Sequence, residues 1–162
     1  MTSVNLSKEY LQELFDYKDG KLYWKKARSY CIKVGQEAGC QSKYRVIRLD
    51  NKMHNIQVII WAYHYGPPNG FVDHINRNTL DNRIENLRLA TPSQNGFNRP
   101  KQKNNTSGIK NVCWHKREKK WKVSIKVMKK VVFCKYYKDI ELAELVAQEA
   151  RAKYHGAYAY RE

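Results

Sequence analysis

Asp73 and His74 stand side by side at the end of a short apolar run, Phe71-Val72, and Asn95 follows on the first turns of a helix opened by Thr91-Pro92. The types are chemically complementary. A carboxylate and a carboxamide are hard oxygen donors, and an imidazole is the side chain that ordinarily titrates near neutral pH. Oxygen-only ligation favours Mg²⁺, with Mn²⁺ as an alternative, and argues against zinc; such an ion keeps open positions for water and for a phosphate oxygen. With His74 taking a proton from an attacking water and the ion offsetting charge on the phosphate and the leaving 3′ oxygen, this set can hydrolyse a phosphodiester and leave a 5′ phosphate.

A strand must carry Asp73-His74, a polar loop must follow, and a helix must bring Asn95 back. The flanking chain supplies the support. Ser7 can cap a helix whose Tyr10, Leu11, Leu14 and Phe15 fall at helical spacing, Asp19-Gly20 reads as a turn, and Lys21–Trp24 and Tyr44–Leu49 read as strands, with Asp50-Asn-Lys52 turning the chain back. Residues 56–65 read as a helix that stops at Gly66-Pro-Pro-Asn-Gly70. Toward the C-terminus, Val112 and Trp114 alternate, and Trp121, Val123, Ile125 and Val127 alternate with Lys120, Lys122, Ser124 and Lys126: a half-buried strand with one basic face. A third strand runs over 131–137, and Asp139 opens a helix with an apolar stripe of Leu142, Leu145, Val146, Ala150 and Tyr154.

Charge fits a polyanionic partner. The 162 residues carry a formal net charge of +16, with 11 basic against 6 acidic residues in 1–70, 4 against 3 in 71–99, and 16 against 6 in 100–162. Aromatic residues make up 12%, so basic charge is interleaved with rings, as in a folded nucleic-acid binder rather than a charged tail. The length excludes a large enzyme with a deep multilayer core. There is no run of 18 apolar residues and no leader pattern in the opening residues, which reads as a soluble, cytoplasmic protein with no membrane partner. Cys31, Cys40, Cys113 and Cys134 lack a C-x-x-C spacing and read as reduced packing residues, and Trp24, Trp61, Trp114 and Trp121 read as core.

The run Val72-Asp73-His74-Ile75, then Asp81-Asn82-Arg83-Ile84-Glu85-Asn86-Leu87-Arg88, then Ser93-Gln94-Asn95 with Asn98 resembles the HNH endonucleases, especially the phage and intron-associated homing type. The resemblance implies a ββα-metal module with His74 as general base and Asp73 and Asn95 as metal ligands. It also implies that Asn86 ties the loop and holds His74 in orientation. Arg83, Arg88 and Arg99 within or beside this stretch are expected at the DNA. Many relatives have His as the last ligand; Asn95 makes this the all-oxygen variant. Residues 109–156 are similar to the APETALA/ethylene-response-factor DNA-binding domain through Ser107-Gly-Ile-Lys, Val112-x-Trp114, Trp121-x-Val123-x-Ile125 and Glu149-Ala-Arg-Ala-Lys-Tyr154-His155-Gly156. In that family the sheet lies in the major groove, which places Lys116, Arg117, Lys120, Lys122 and Lys126 at the DNA.

The chain therefore reads as α+β: a supporting α+β segment over 1–70, the ββα-metal motif over 71–99, a linker over 100–108, and a three-stranded antiparallel sheet packed on one helix over 109–162. The expected function is that of a metal-dependent DNA endonuclease acting on double-stranded DNA as a monomer or weak dimer, with one strand nicked per active site. The rival is a non-catalytic, sequence-binding DNA protein with a degenerate nuclease module. An RNA binder using aromatics on an open sheet fits less well, because the alternating tryptophans point inward.

Overall fold

The computed structural model describes residues 5–27, 30–41 and 44–160; the opening residues 1–4, read above for a leader, lie outside them. The chain divides between Ala90 and Thr91 into two compact units. The first holds the expected supporting segment together with the hairpin that bears Asp73 and His74. The second holds the Asn95 helix and the C-terminal sheet.

In the first unit, α1 (Lys8–Leu14) starts where Ser7 Oγ accepts the Tyr10 amide at 3.4 Å. Phe15, expected as the last apolar residue of this helix, instead opens a strand. β1 (Phe15–Lys18) pairs antiparallel with β2 (Lys21–Trp24) across the Asp19-Gly20 turn, and the Phe15 and Trp24 rings meet at 4.5 Å. β3 (Cys40–Gln41), β4 (Arg45–Leu49) and β5 (Lys52–Asn55) form a second small sheet in sequence order. α2 (Ile56–Tyr65) buries Ile56, Ile59, Ile60 and Ala62 and stops at Gly66, whose φ of 85° is a left-handed conformation that suits glycine. β6 (Phe71–His74) and β7 (Leu87–Ala90) make the third sheet, antiparallel, with Asp73 opposite Arg88 and His74 opposite Leu87.

One hydrophobic core joins α1, β1, β2, β4, α2 and the β6–β7 hairpin. Leu11, Phe15, Leu22, Leu49, Ile59 and Ile60 are fully buried, Leu87 of β7 belongs to the same cluster, and Val72 and Ile84 pack against it. The nuclease-like hairpin is thus not a separate body beside residues 1–70.

In the second unit, Thr91 caps α3 (Pro92–Asn98) with a reciprocal capping box to Gln94. β8 (Val112–His115), β9 (Lys120–Val127) and β10 (Lys130–Tyr137) form an antiparallel sheet with β9 central, and α4 (Ile140–His155), capped by Asp139, packs across it. The buried face of α4 differs from the expected stripe. Of that stripe Ala150 is buried, Val146 and Tyr154 are half-buried, and Leu142 and Leu145 are exposed; Ala143 and Ala147 pack on the sheet, and Arg151 and His155 are buried as well. Small side chains let the helix axis approach Val112 and Val123 closely, and leucines on that face would hold it away.

The cysteines are all free and all exposed, so they are not packing residues. Trp24 is buried, but Trp114 on the edge strand β8 is 45% exposed and meets Trp121 edge-on at 5.0 Å. Residues 100–108, expected as a linker, carry local order: Ser107 Oγ donates toward Val112 O at 2.7 Å, Asn105 Nδ2 donates to Ile109 O at 2.9 Å, and Lys101 Nζ bonds Gly108 O. No helix among the described residues is long and apolar enough to cross a membrane.

His155 ties α3 to α4 within this unit. Its ring stacks on Phe97 at 3.8 Å and 7°, and its Nε2 lies 3.4 Å from Lys126 O. Burial pushes its pKa below the ordinary imidazole value, and nearby Lys110 and Arg151 act the same way; burial also lowers His54 and His64 in the first unit. A ring kept neutral in the fold but protonated in the unfolded chain gives stability that is complete above about pH 6.5 and is lost as pH falls below it. The melting temperature is therefore expected to drop between about pH 8 and about pH 5.5, and His155→Gln to flatten part of that drop. A pH-independent melting temperature would exclude the effect.

Candidate active site and nucleic-acid surface

β6 delivers Asp73 and His74 on successive positions, so their side chains leave opposite faces of the hairpin. His74 is 5% exposed, and its Nε2 lies 3.0 Å from Asn82 Oδ1. Asn82, 3% exposed, points its amide nitrogen at Leu80 O (3.4 Å), which leaves the oxygen toward the imidazole. An acceptor facing Nε2 selects the tautomer with its proton there and leaves the lone pair of the neutral ring on Nδ1.

The loop between β6 and β7 is built from short polar side chains. Asn86 Oδ1 accepts the Asn76 amide at 2.9 Å, and Asn86 Nδ2 donates to Asn76 Oδ1 at 2.9 Å and to Asp81 O at 2.7 Å. Asn86 thus bonds across the loop from residue 76 to residue 81. Its side-chain bonds go to Asn76 and Asp81, however, and the residue set against the imidazole is Asn82. The sequence reading quoted Asn82 within the motif and gave it no role, because an Asn in a polar loop ordinarily signals a turn; its one signal is a position eight residues after His74, where the loop returns.

The arginines expected at the DNA divide. Arg83 clamps both oxygens of Asp81 at 2.8 and 2.9 Å, and this hydrogen bonding holds Asp81 well below the usual carboxylate range; the Arg83 side chain remains 61% exposed. Arg88 turns onto Asp73, with Nε and Nη2 donating to Asp73 Oδ2 at 3.2 and 3.1 Å and both side chains less than 15% exposed.

The first unit also supports the loop from below. Tyr17 Oη accepts the Ile84 amide at 3.0 Å, and the Gly20 turn lies directly against the Asn82-Arg83 backbone.

In the second unit, the register puts Lys120, Lys122, Ser124 and Lys126 on one face with Cys113, His115, Cys134 and Tyr136, while Val123 and Ile125 are fully buried on the other. His115 and Tyr136 meet edge-on at 5.2 Å, an aromatic pair among the lysines that strand alternation did not disclose. Arg99 lines the same groove as Lys122, Ser124 and Lys126. Lys116 and Arg117 lie exposed on the β8–β9 turn. Asn95 lies on the first turns of α3.

Among the described residues, no group of three or more His, Cys, Asp or Glu converges as a metal site. The donors expected from the sequence, the Asp73 carboxylate and the Asn95 amide, are oxygen-only, and no cysteine lies between 71 and 99. That set fits a hard divalent cation that retains water, and not a tetrahedral zinc centre.

Residues 54–97 match the HNH endonuclease family. Protein 3.8 of Escherichia phage T7 is 35% identical over 104 residues, which cover 62% of this chain and 84% of that protein. An uncharacterized HNH endonuclease, L560, of Acanthamoeba polyphaga mimivirus is 41% identical over 59 residues, covering 36% of this chain and 29% of that protein. No solved structure matches the chain.

Proposed function

Because the chain belongs to the family of phage T7 Protein 3.8 and carries an HNH endonuclease domain over residues 54–97, we propose that it is a DNA endonuclease that hydrolyses phosphodiester bonds in duplex DNA, with His74 as general base. The observation that carries the reading is the buried His74 imidazole, with Nε2 fixed by Asn82 Oδ1 and a carboxylate on the preceding residue. An imidazole held in one tautomer, on the residue that follows a metal-type donor, favours catalysis over binding alone.

The roles follow from the side chains. Asn82 holds the Nε2 proton, so Nδ1 takes the proton of the attacking water. Asn86 keeps the loop closed behind it. Asp73 and Asn95 are the residues that would hold a divalent ion, Mg²⁺ or Mn²⁺; when bound it supplies positive charge opposite the scissile phosphate. Arg83, Arg99, Lys116, Arg117, Lys120, Lys122 and Lys126 are assigned to the DNA. One base per chain makes the product a nick, and a homing-type role is the family reading that goes with it. The APETALA/ethylene-response-factor reading of 109–156 draws support from the three-stranded order and the crossing helix, while the family match ends at residue 97 and adds nothing to it.

The test is incubation of the chain with supercoiled plasmid at low salt in Mg²⁺, Mn²⁺ or chelator. Metal-dependent conversion to the nicked circle is expected; binding without cleavage under both metals would favour the non-catalytic alternative. A separate measurement addresses the sheet. Replacing Lys120, Lys122 and Lys126 together by Ala is expected to lower the slope of log affinity against log salt by about 2 to 3, since each phosphate contact contributes about 0.9. An unchanged slope in fluorescence anisotropy on a short duplex would remove this face from the interface.

A further inference from the structure

The Asp73–Arg88 pair is oddly placed for a strut. A desolvated ion pair is a weak source of stability, and this hairpin already has its ladder and a buried Leu87. The molecule offers an internal contrast. Arg83 on Asp81 is the same chemistry in solvent, where it clamps a loop; Arg88 on Asp73 is shielded, and it sits next to the buried His74. Its Nε and Nη2 converge on one oxygen, Oδ2. A guanidinium cannot shed its charge near neutral pH, so a divalent ion approaching this carboxylate meets a fixed positive charge about 3 Å from the oxygen it would use.

That conflict is relieved by an anion that takes the guanidinium away, and a phosphate matches its planar fork as well as a carboxylate does. We propose that Arg88 gates the metal: it holds Asp73 in the free protein and passes to a DNA phosphate in the complex, so that metal and duplex load cooperatively. Arg88 is then a positioning residue that acts through Asp73. This rests on the assignment of Asp73 as a metal ligand made above.

The probe is Mn²⁺ binding to the full chain, followed by the electron paramagnetic resonance signal of the free ion. Without DNA, Arg88→Gln is expected to bind Mn²⁺ at least about tenfold more tightly than the unmodified chain, within the usual range of coupling between sites. Arg88→Lys, which keeps the charge, is expected to stay close to the unmodified chain, and Asp73→Asn in the Arg88→Gln background is expected to abolish the gain. In a His74→Ala background, which stops turnover, a short duplex is expected to raise Mn²⁺ affinity about tenfold after subtraction of DNA alone, and the added Arg88→Gln to reduce that gain to less than about threefold.

Equal affinities for the unmodified and Arg88→Gln chains, with Asp73→Asn still weakening both, would overturn the gate and leave the ligand assignment standing. No effect of Asp73→Asn in either background would remove the ligand assignment and the gate with it. If circular dichroism shows that Arg88→Gln does not fold, the duplex arm with Arg88 intact decides: no gain in Mn²⁺ affinity overturns the proposal.

Discussion

His74→Ala is expected to slow plasmid nicking by about 10²- to 10⁴-fold under single-turnover conditions while duplex affinity stays within about threefold, because a general base contributes to the transition state and not to phosphate contacts. The imidazole is buried, so its removal also leaves a cavity and takes the donor from Asn82 Oδ1. A melting curve on the same variant therefore separates lost chemistry from lost fold. A variant that melts normally, binds DNA and still cleaves at full rate would remove His74 from the mechanism; one that binds and melts normally but does not cleave leaves proton transfer as the function lost.

The second large effect acts through backbone. A Cβ on Gly20 would lie 2.7 Å from Arg83 N and 2.9 Å from Asn82 C, and Gly20 has a φ of 79°, where L side chains are strained. Neither neighbour is a side-chain tip that can swing aside. Gly20→Ala is expected to cost roughly 2 to 4 kcal/mol, combining a strained backbone with overpacking, and to read as a lower denaturant midpoint. Because the displaced segment carries Asn82, nicking by the folded fraction is expected to fall as well. A variant of unchanged midpoint and activity would show that the turn does not brace the loop.

Much of this was legible in the chain itself. The strand end that carries Asp73 and His74, the capped helix at Thr91, the stop at Gly66 and the basic face of β9 follow from local chemistry: an apolar run before polar residues, a capping box, a left-handed glycine and period-two alternation. What escaped depends on distance and closeness. β1 is four residues long and begins with an apolar residue at helical spacing, so Phe15 read as the end of α1. The stripe on α4 included Leu142 and Leu145 because they are strongly hydrophobic, whereas the sheet selects Ala143 and Ala147, which let the helix come near. Asn82 stood in the motif without a role and Arg88 read as a DNA contact, because nothing in their spacing says that one returns to the imidazole and the other pairs across a hairpin.

The bracing of the loop by Tyr17 and Gly20 bears on where this chain can be cut. The stretch shared with the HNH family begins at residue 54, yet Leu11, Leu14, Phe15, Leu22 and Trp24, on which its hairpin rests, all precede it. An expression fragment that starts at the family boundary lacks the side chains that bury its hairpin and is expected to be unfolded by circular dichroism. The first twenty-odd positions are thus a structural part of the module that bears His74, and a fusion made N-terminal to them is expected to leave its fold intact where one made at residue 54 does not.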